Sequence, residues 1–207
     1  MEIERRVIDR PVEVREAGDG QPAAIIGYAA LYGVLSDNLG GFREMLLPGA
    51  FADRLGDDVR ALWQHDSSHV FGRTVSGTLT LEEDAIGLRY IVTPPDAQWA
   101  RDALVSIQRG DVSQSSFAFS VLDGERWDYS EDGGVVRYIT RVARLYDVSP
   151  VTYAAYPQTS VSVQQRAADL RARAVGADDN MARAEELMRA REDLGRRIKV
   201  RQLMSEV

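Results

Sequence analysis

Turn-forming residues cut this chain into many short apolar stretches, and that segmentation restricts its fold more than any other feature. Residues 6–14 alternate and carry β-branched side chains; Ala17-Gly18-Asp19-Gly20 then supplies turn chemistry, and 23–31 follows as an apolar strand. Together they read as a hairpin. Residues 32–41 are a polar, Gly-containing loop, and Pro48-Gly49-Ala50-Phe51-Ala52-Asp53-Arg54-Leu55 reads as a short helix begun near a proline. A short apolar strand at 59–63 ends at Gln64-His65-Asp66, and strands at 75–81 and 88–92 join across 82–87 as a second hairpin.

One segment breaks this rhythm. Pro94-Pro95-Asp96 stops the preceding strand and offers Asp96 as an N-cap; Ala100, Ala103, Leu104 and Ile107 then fall at helical spacing, with Gly110 as the natural C′ residue. Strand character resumes over 112–122, where Phe117, Phe119 and Val121 share one face and Ser116, Ala118 and Ser120 the other. Residues 123–134 are polar and turn-rich, 135–146 resume strand character, and Pro150 and Pro157 punctuate a last extended piece.

Near Gln165 the composition shifts to Ala, Arg, Glu and Leu. Leu187, Arg191, Leu194, Ile198 and Arg201 recur at helical steps. The chain therefore divides into a strand-dominated domain over 1–164 and a helical C-terminal tail over 165–207. Such a narrow apolar stripe buries too little to be stable alone, so the tail is expected to dock on a partner. The fold class is α+β. Many short strands with hairpin turns point to a closed or nearly closed β-barrel with flanking helices.

Composition excludes several functions. The net charge of -7 argues against nucleic-acid binding, which calls for a basic surplus. No run approaches the roughly 20 apolar residues of a membrane span, and Met1-Glu2-Ile3-Glu4-Arg5-Arg6 lacks the apolar core of a signal peptide, so the expected location is cytoplasmic. The absence of cysteine removes thiol nucleophiles, thiolate metal sites and disulfides together.

Only two histidines are available for chemistry. His65 sits where an apolar strand breaks into the polar stretch Asp66-Ser67-Ser68-His69, a place where rigid scaffolds present functional groups. His65 and His69 have H-x-x-x-H spacing, but the intervening residues are turn-like and supply no glutamate, a weak basis for a metallohydrolase. Ser116 lies on the small-residue face of its strand, which leaves room for a substrate backbone near the hydroxyl. Asp147 interrupts an apolar run just before a proline; such a carboxylate is either a solvated edge charge or a group that orients an imidazole.

Several separated stretches resemble the prohead proteases of tailed phages, a family similar in fold to the herpesvirus assemblin. They are Ile26-Gly27-Tyr28-Ala29-Ala30 with Tyr32-Gly33, Leu46-Leu47-Pro48-Gly49-Ala50-Phe51, His65-Asp66 with Gly72-Arg73, Gly87-Leu88, Ser116-Phe117-Ala118-Phe119, and Asp147-Val148-Ser149-Pro150-Val151-Thr152. They occur in family order from about residue 5 to residue 160. The resemblance implies a serine endopeptidase with Ser116 as nucleophile, His65 as general base and Asp147 as third member. The family's third member is typically a glutamate, one methylene longer. Ser115 and Asp66 are local competitors for the nucleophile and orienting roles. The resemblance further implies cleavage of the phage major capsid protein and its scaffold region, self-processing, a homo-oligomer, and action in the bacterial host cytoplasm inside the immature prohead. It calls for no cofactor, metal, nucleic acid or membrane. The alternative is a non-catalytic, assemblin-like scaffolding protein of capsid assembly.

Overall fold

The alternating stretches are realised as strands in a computed structural model that describes residues 2–18, 22–129 and 134–153. Among the described residues there are twelve: β1 (Glu4–Ile8), β2 (Glu13–Arg15), β3 (Ala24–Leu31), β4 (Arg43–Leu46), β5 (Arg60–Trp63), β6 (Asp66–Arg73), β7 (Leu79–Glu83), β8 (Gly87–Val92), β9 (Gln114–Ser120), β10 (Glu125–Tyr129), β11 (Val135–Ile139) and β12 (Arg144–Val151). One α-helix, α1 (Gln98–Gln108), separates β8 from β9, and Ala52–Arg54 forms a single 3₁₀ turn. The expected helical tail, like the boundary at 164/165, lies outside the described residues.

The strands form three sheets, ordered β1-β9-β12-β5-β6, β2-β3-β8-β7 and β10-β11-β4. The expected closed or nearly closed barrel is therefore overturned. A barrel requires its first strand to be hydrogen-bonded to its last, whereas these sheets are open, ending at β1 and β6, β2 and β7, and β10 and β4. Period-two alternation assigns a strand its two faces but says nothing about its lateral neighbour, so closure could not be read from it. The flanking helices also reduce to α1 among the described residues.

The 6–14 run shows how this happens. Pro11 interrupts it, and the two halves go to different sheets: β1 pairs with β9, while β2 alone makes the expected hairpin with β3. The 123–134 stretch was expected to be turn, yet it contains β10, paired antiparallel with β11. As an edge strand β10 carries exposed charge that masks its periodicity; its Trp127 ring lies 5.1 Å from Phe42. The four-residue β4 was too short to register in the alternation. Asp96 does not cap α1: Ala97 occupies the N-cap without a side-chain bond, and Asp96 instead pairs with Arg101. The other end follows expectation, with Gly110 at φ 79°.

One core unites these elements. Ile25 and Ala29 of β3, Leu88 and Val92 of β8, Phe117 and Phe119 of β9, Leu145 and Val148 of β12, and Ala100, Ala103 and Ile107 of α1 form a single buried cluster. Phe51 packs edge-on to Phe117 at 5.7 Å, so the Pro48-Gly49-Ala50-Phe51 stretch supports the underside of β9. Truncating such a phenylalanine costs about 3–5 kcal/mol.

A second buried structure is ionic. Arg137 of β11 bonds Glu4 of β1 (2.7 Å), Glu44 of β4 (2.9 Å) and Glu125 of β10 (2.7 Å). Arg6 bonds Glu4 and Glu44 from the other side. This cluster ties β1 of the five-stranded sheet to all three strands of the β10-β11-β4 sheet. Burial would push the Glu4 carboxyl up, but Arg137 and then Arg6 more than reverse this and hold it below its ordinary value. Among the described residues, no helix is long and apolar enough to cross a membrane.

Candidate active site

Three strands of the five-stranded sheet, or the turn leaving one of them, each contribute one polar side chain to the same point. β9 contributes Ser116, β12 contributes Asp147, and the turn after β5 contributes His65. His65 Nε2 lies 2.6 Å from Ser116 Oγ, and His65 Nδ1 lies 2.5 Å from Asp147 Oδ1. The three residues that the sequence singled out are thus brought together from positions 51 and 82 residues away from His65.

The local geometry at His65 differs from the sequence expectation. The turn is not Asp66-Ser67-Ser68, which begins β6, but the two residues Gln64 and His65 between the paired Trp63 and Asp66. Both have positive φ, 56° and 60°, the pattern of a type I′ hairpin turn that asparagine and glycine usually occupy. Two such non-glycine residues cost of order 1–3 kcal/mol each. Hydrogen bonds to the end of β12 offset that cost. The Gln64 backbone N–H donates to Pro150 O (3.1 Å), its side-chain Nε2 donates to Thr152 Oγ1 (2.5 Å), and its side-chain Oε1 accepts the Thr152 N–H (3.1 Å).

Asp147 reaches His65 because β12 is bulged. Leu145 opposes Phe119 and Asp147 opposes Ala118, so Tyr146 is an extra residue in the pairing with β9. In unbroken register Asp147 would oppose Phe117 and face the core; a one-residue shift moves it to the face of Ser116. The same shift brings Ser149 opposite Ser116. Ser149 donates to Asp147 Oδ1 at 2.8 Å and lies 3.3 Å from His65 Nδ1. Sequence reasoning assigned no role to Ser149, Gln64 or Tyr146. One signal existed for the bulge: the core residues Leu145 and Val148 are three apart, where a regular strand would space them by two.

The competing residues point elsewhere. Ser115 is on the opposite face of β9, its hydroxyl 2.9 Å from that of the buried Tyr90. Burial pushes the Tyr90 phenol up. Gly27 makes room for that ring, since a Cβ there would come within 2.7 Å of the Tyr90 hydroxyl. Asp66 turns away from His65: its carboxylate accepts from the Ser68 hydroxyl and N–H and engages His69 Nδ1 at 2.7 Å. These bonds, the Ser68 hydroxyl foremost, lower its pKa to about 2. His69 stacks edge-on to Trp99 and does not converge with His65. One expectation fails here. Ser116, Ala118 and Ser120 are at most 1% exposed, so the small-residue face is covered rather than open.

A hydroxyl bonded to an imidazole that is itself bonded to a carboxylate has the connectivity of a serine-hydrolase centre. Here it is carried on an open mixed sheet. The chain belongs to the caudovirus prohead serine protease family, whose model matches residues 10–173 of 207. It is a family of bacteriophage serine proteases of capsid maturation. No curated protein and no solved structure matches the chain.

Proposed function

We propose that this chain is a serine endopeptidase that cleaves phage capsid and scaffold protein inside the prohead, with Ser116 as nucleophile, His65 as general base and Asp147 as the acid that orients His65. The observation that carries the reading is the relay itself, two contacts of 2.6 and 2.5 Å on the two nitrogens of one imidazole. With Nδ1–H donating to Asp147, Nε2 is left as the acceptor for the Ser116 proton. As Oγ attacks the scissile carbonyl, the proton passes to Nε2, and Asp147 stabilises the imidazolium. The same proton then goes to the leaving amine, which frees the acyl-enzyme for hydrolysis. A peptide carbonyl must come within about 3–3.5 Å of Oγ to react. Because Ser116 is fully buried, substrate entry requires displacement of whatever covers it.

Family membership supports capsid and scaffold protein as the substrate, met in the host cell within the immature shell. The same reading makes the protease act on itself, as a homo-oligomer, with residues 165–207 as a removable segment that docks on capsid or scaffold helices. The burial of Ser116 favours a second reading, a non-catalytic scaffolding protein. Co-expression with the capsid protein, followed by mass spectrometry, separates the two. Wild type should cleave capsid protein and itself. Ser116→Ala, His65→Ala and the double variant should all be equally inactive, because members of a relay lose activity as a unit. Unchanged capsid processing by Ser116→Ala would sink the proposal.

A further inference from the structure

We infer that Ser149 is a positioning residue for this site, holding the short Asp147 carboxylate against His65; the inference rests on the proteolytic reading above. Three observations carry it. Ser149 is completely buried, so its hydroxyl has no water to bond and must find its partner in the protein. That partner is Asp147 Oδ1, the same oxygen that faces His65 Nδ1. The β12 bulge brings both residues to the Ser116 face together, with Ser149 directly opposite Ser116.

Two donors on one oxygen have two effects. They restrict the carboxylate to one rotamer, so that the aspartate arm meets Nδ1 without searching. They also share the charge on Oδ1. If Ser149 is removed, Oδ1 has His65 as its remaining side-chain donor, and the more concentrated charge favours the protonated imidazole. Other charges around the pair are engaged elsewhere. Asp66, next to His65, is held by Ser68 and His69; Arg60 of β5, in register with Asp147, is paired with Asp58. Arg5 of β1 is in register with Ala118, the residue opposite Asp147, and so shares that face from one strand further away.

The test is the pH dependence of Ser116 labelling by a fluorophosphonate in the full-length protein, which reads the nucleophile without knowledge of the substrate. Ser149→Ala should lower the plateau labelling rate by about tenfold, the equivalent of one charge-assisted hydrogen bond. It should also move the acid limb of the profile to higher pH, while the melting temperature stays close to wild type. A lower plateau with an unmoved limb would make Ser149 a packing residue only and overturn the inference, as would a profile identical to wild type. If Ser149→Ala does not fold, Ser149→Cys keeps the volume with a weaker donor and should move the limb in the same direction. Labelling that persists in Ser116→Ala overturns the proteolytic reading itself, so the two failures are distinguishable.

Discussion

The molecule gathers charged and polar side chains in two buried places that use them in opposite ways. At the junction of β1, β4, β10 and β11, two arginines and three glutamates saturate one another; Arg137 alone bonds three carboxylates and is 1% exposed. Where the turn after β5 meets β9 and β12 there is one carboxylate, one imidazole and two hydroxyls, with the His65 and Asp147 side chains 12% and 10% exposed. The first arrangement is closed: each charged group is bonded to at least one of opposite sign, and the two cations are shared among the three carboxylates. The second is directional: in the proposed relay the Ser116 hydroxyl donates to His65 and His65 donates to Asp147, so donation begins on the hydroxyl proposed to attack and ends on the carboxylate. Saturation makes a fastener. A terminated relay makes a reactive centre.

The sharpest way to break the relay while leaving the fastener intact is Asp147→Asn. It retains shape but replaces the charged acceptor by a neutral amide whose NH2 can face His65 and favour the wrong tautomer, and turnover should fall by about 10⁴-fold. An effect below about tenfold, measured on capsid-protein cleavage, would mean that another group orients His65.

The reverse experiment breaks the fastener. Arg137→Met leaves three buried carboxylates, Glu4, Glu44 and Glu125, with Arg6 as the cluster's remaining cation. Urea unfolding should show a loss of about 3–5 kcal/mol, and the residual folded protein should keep its labelling rate at Ser116. Equal loss of rate and stability would show that the cluster and the site are one unit, which the comparison denies.

The smallest effect should come from acid. The Glu4 carboxyl is held below 4.5 in the folded state, so it binds fewer protons folded than unfolded. Its contribution is present above that value and is lost as pH falls through the lowered one. Melting temperature should therefore decline below pH 4.5 in wild type, and less steeply in Glu4→Gln. Parallel declines would remove Glu4 from the account.

Much of the site was legible in the chain and much of the architecture was not. With two histidines and no cysteine, a histidine-dependent mechanism had little choice of position. The alternation of Phe117 and Phe119 against Ser116 told which serine faces away from the core. Ordered fragments from Ile26 to Thr152 pointed to the family. Those signals are local, since face, turn chemistry and residue type are all set within a few residues.

The lateral order of strands is set by long-range pairing, and so was its error. Nothing near Glu4 in sequence says that its partners are Glu44-bound Arg6 and the distant Arg137. Nothing near Pro11 says that the strand before it joins β9 and the strand after it joins β3. The chain by itself determined which residues could do chemistry and which way they alternate. Tertiary structure decided that three open sheets form instead of a barrel. It also decided that a single extra residue at Tyr146 turns Asp147 from the core toward Ser116, because register is a property of two strands and neither one contains it.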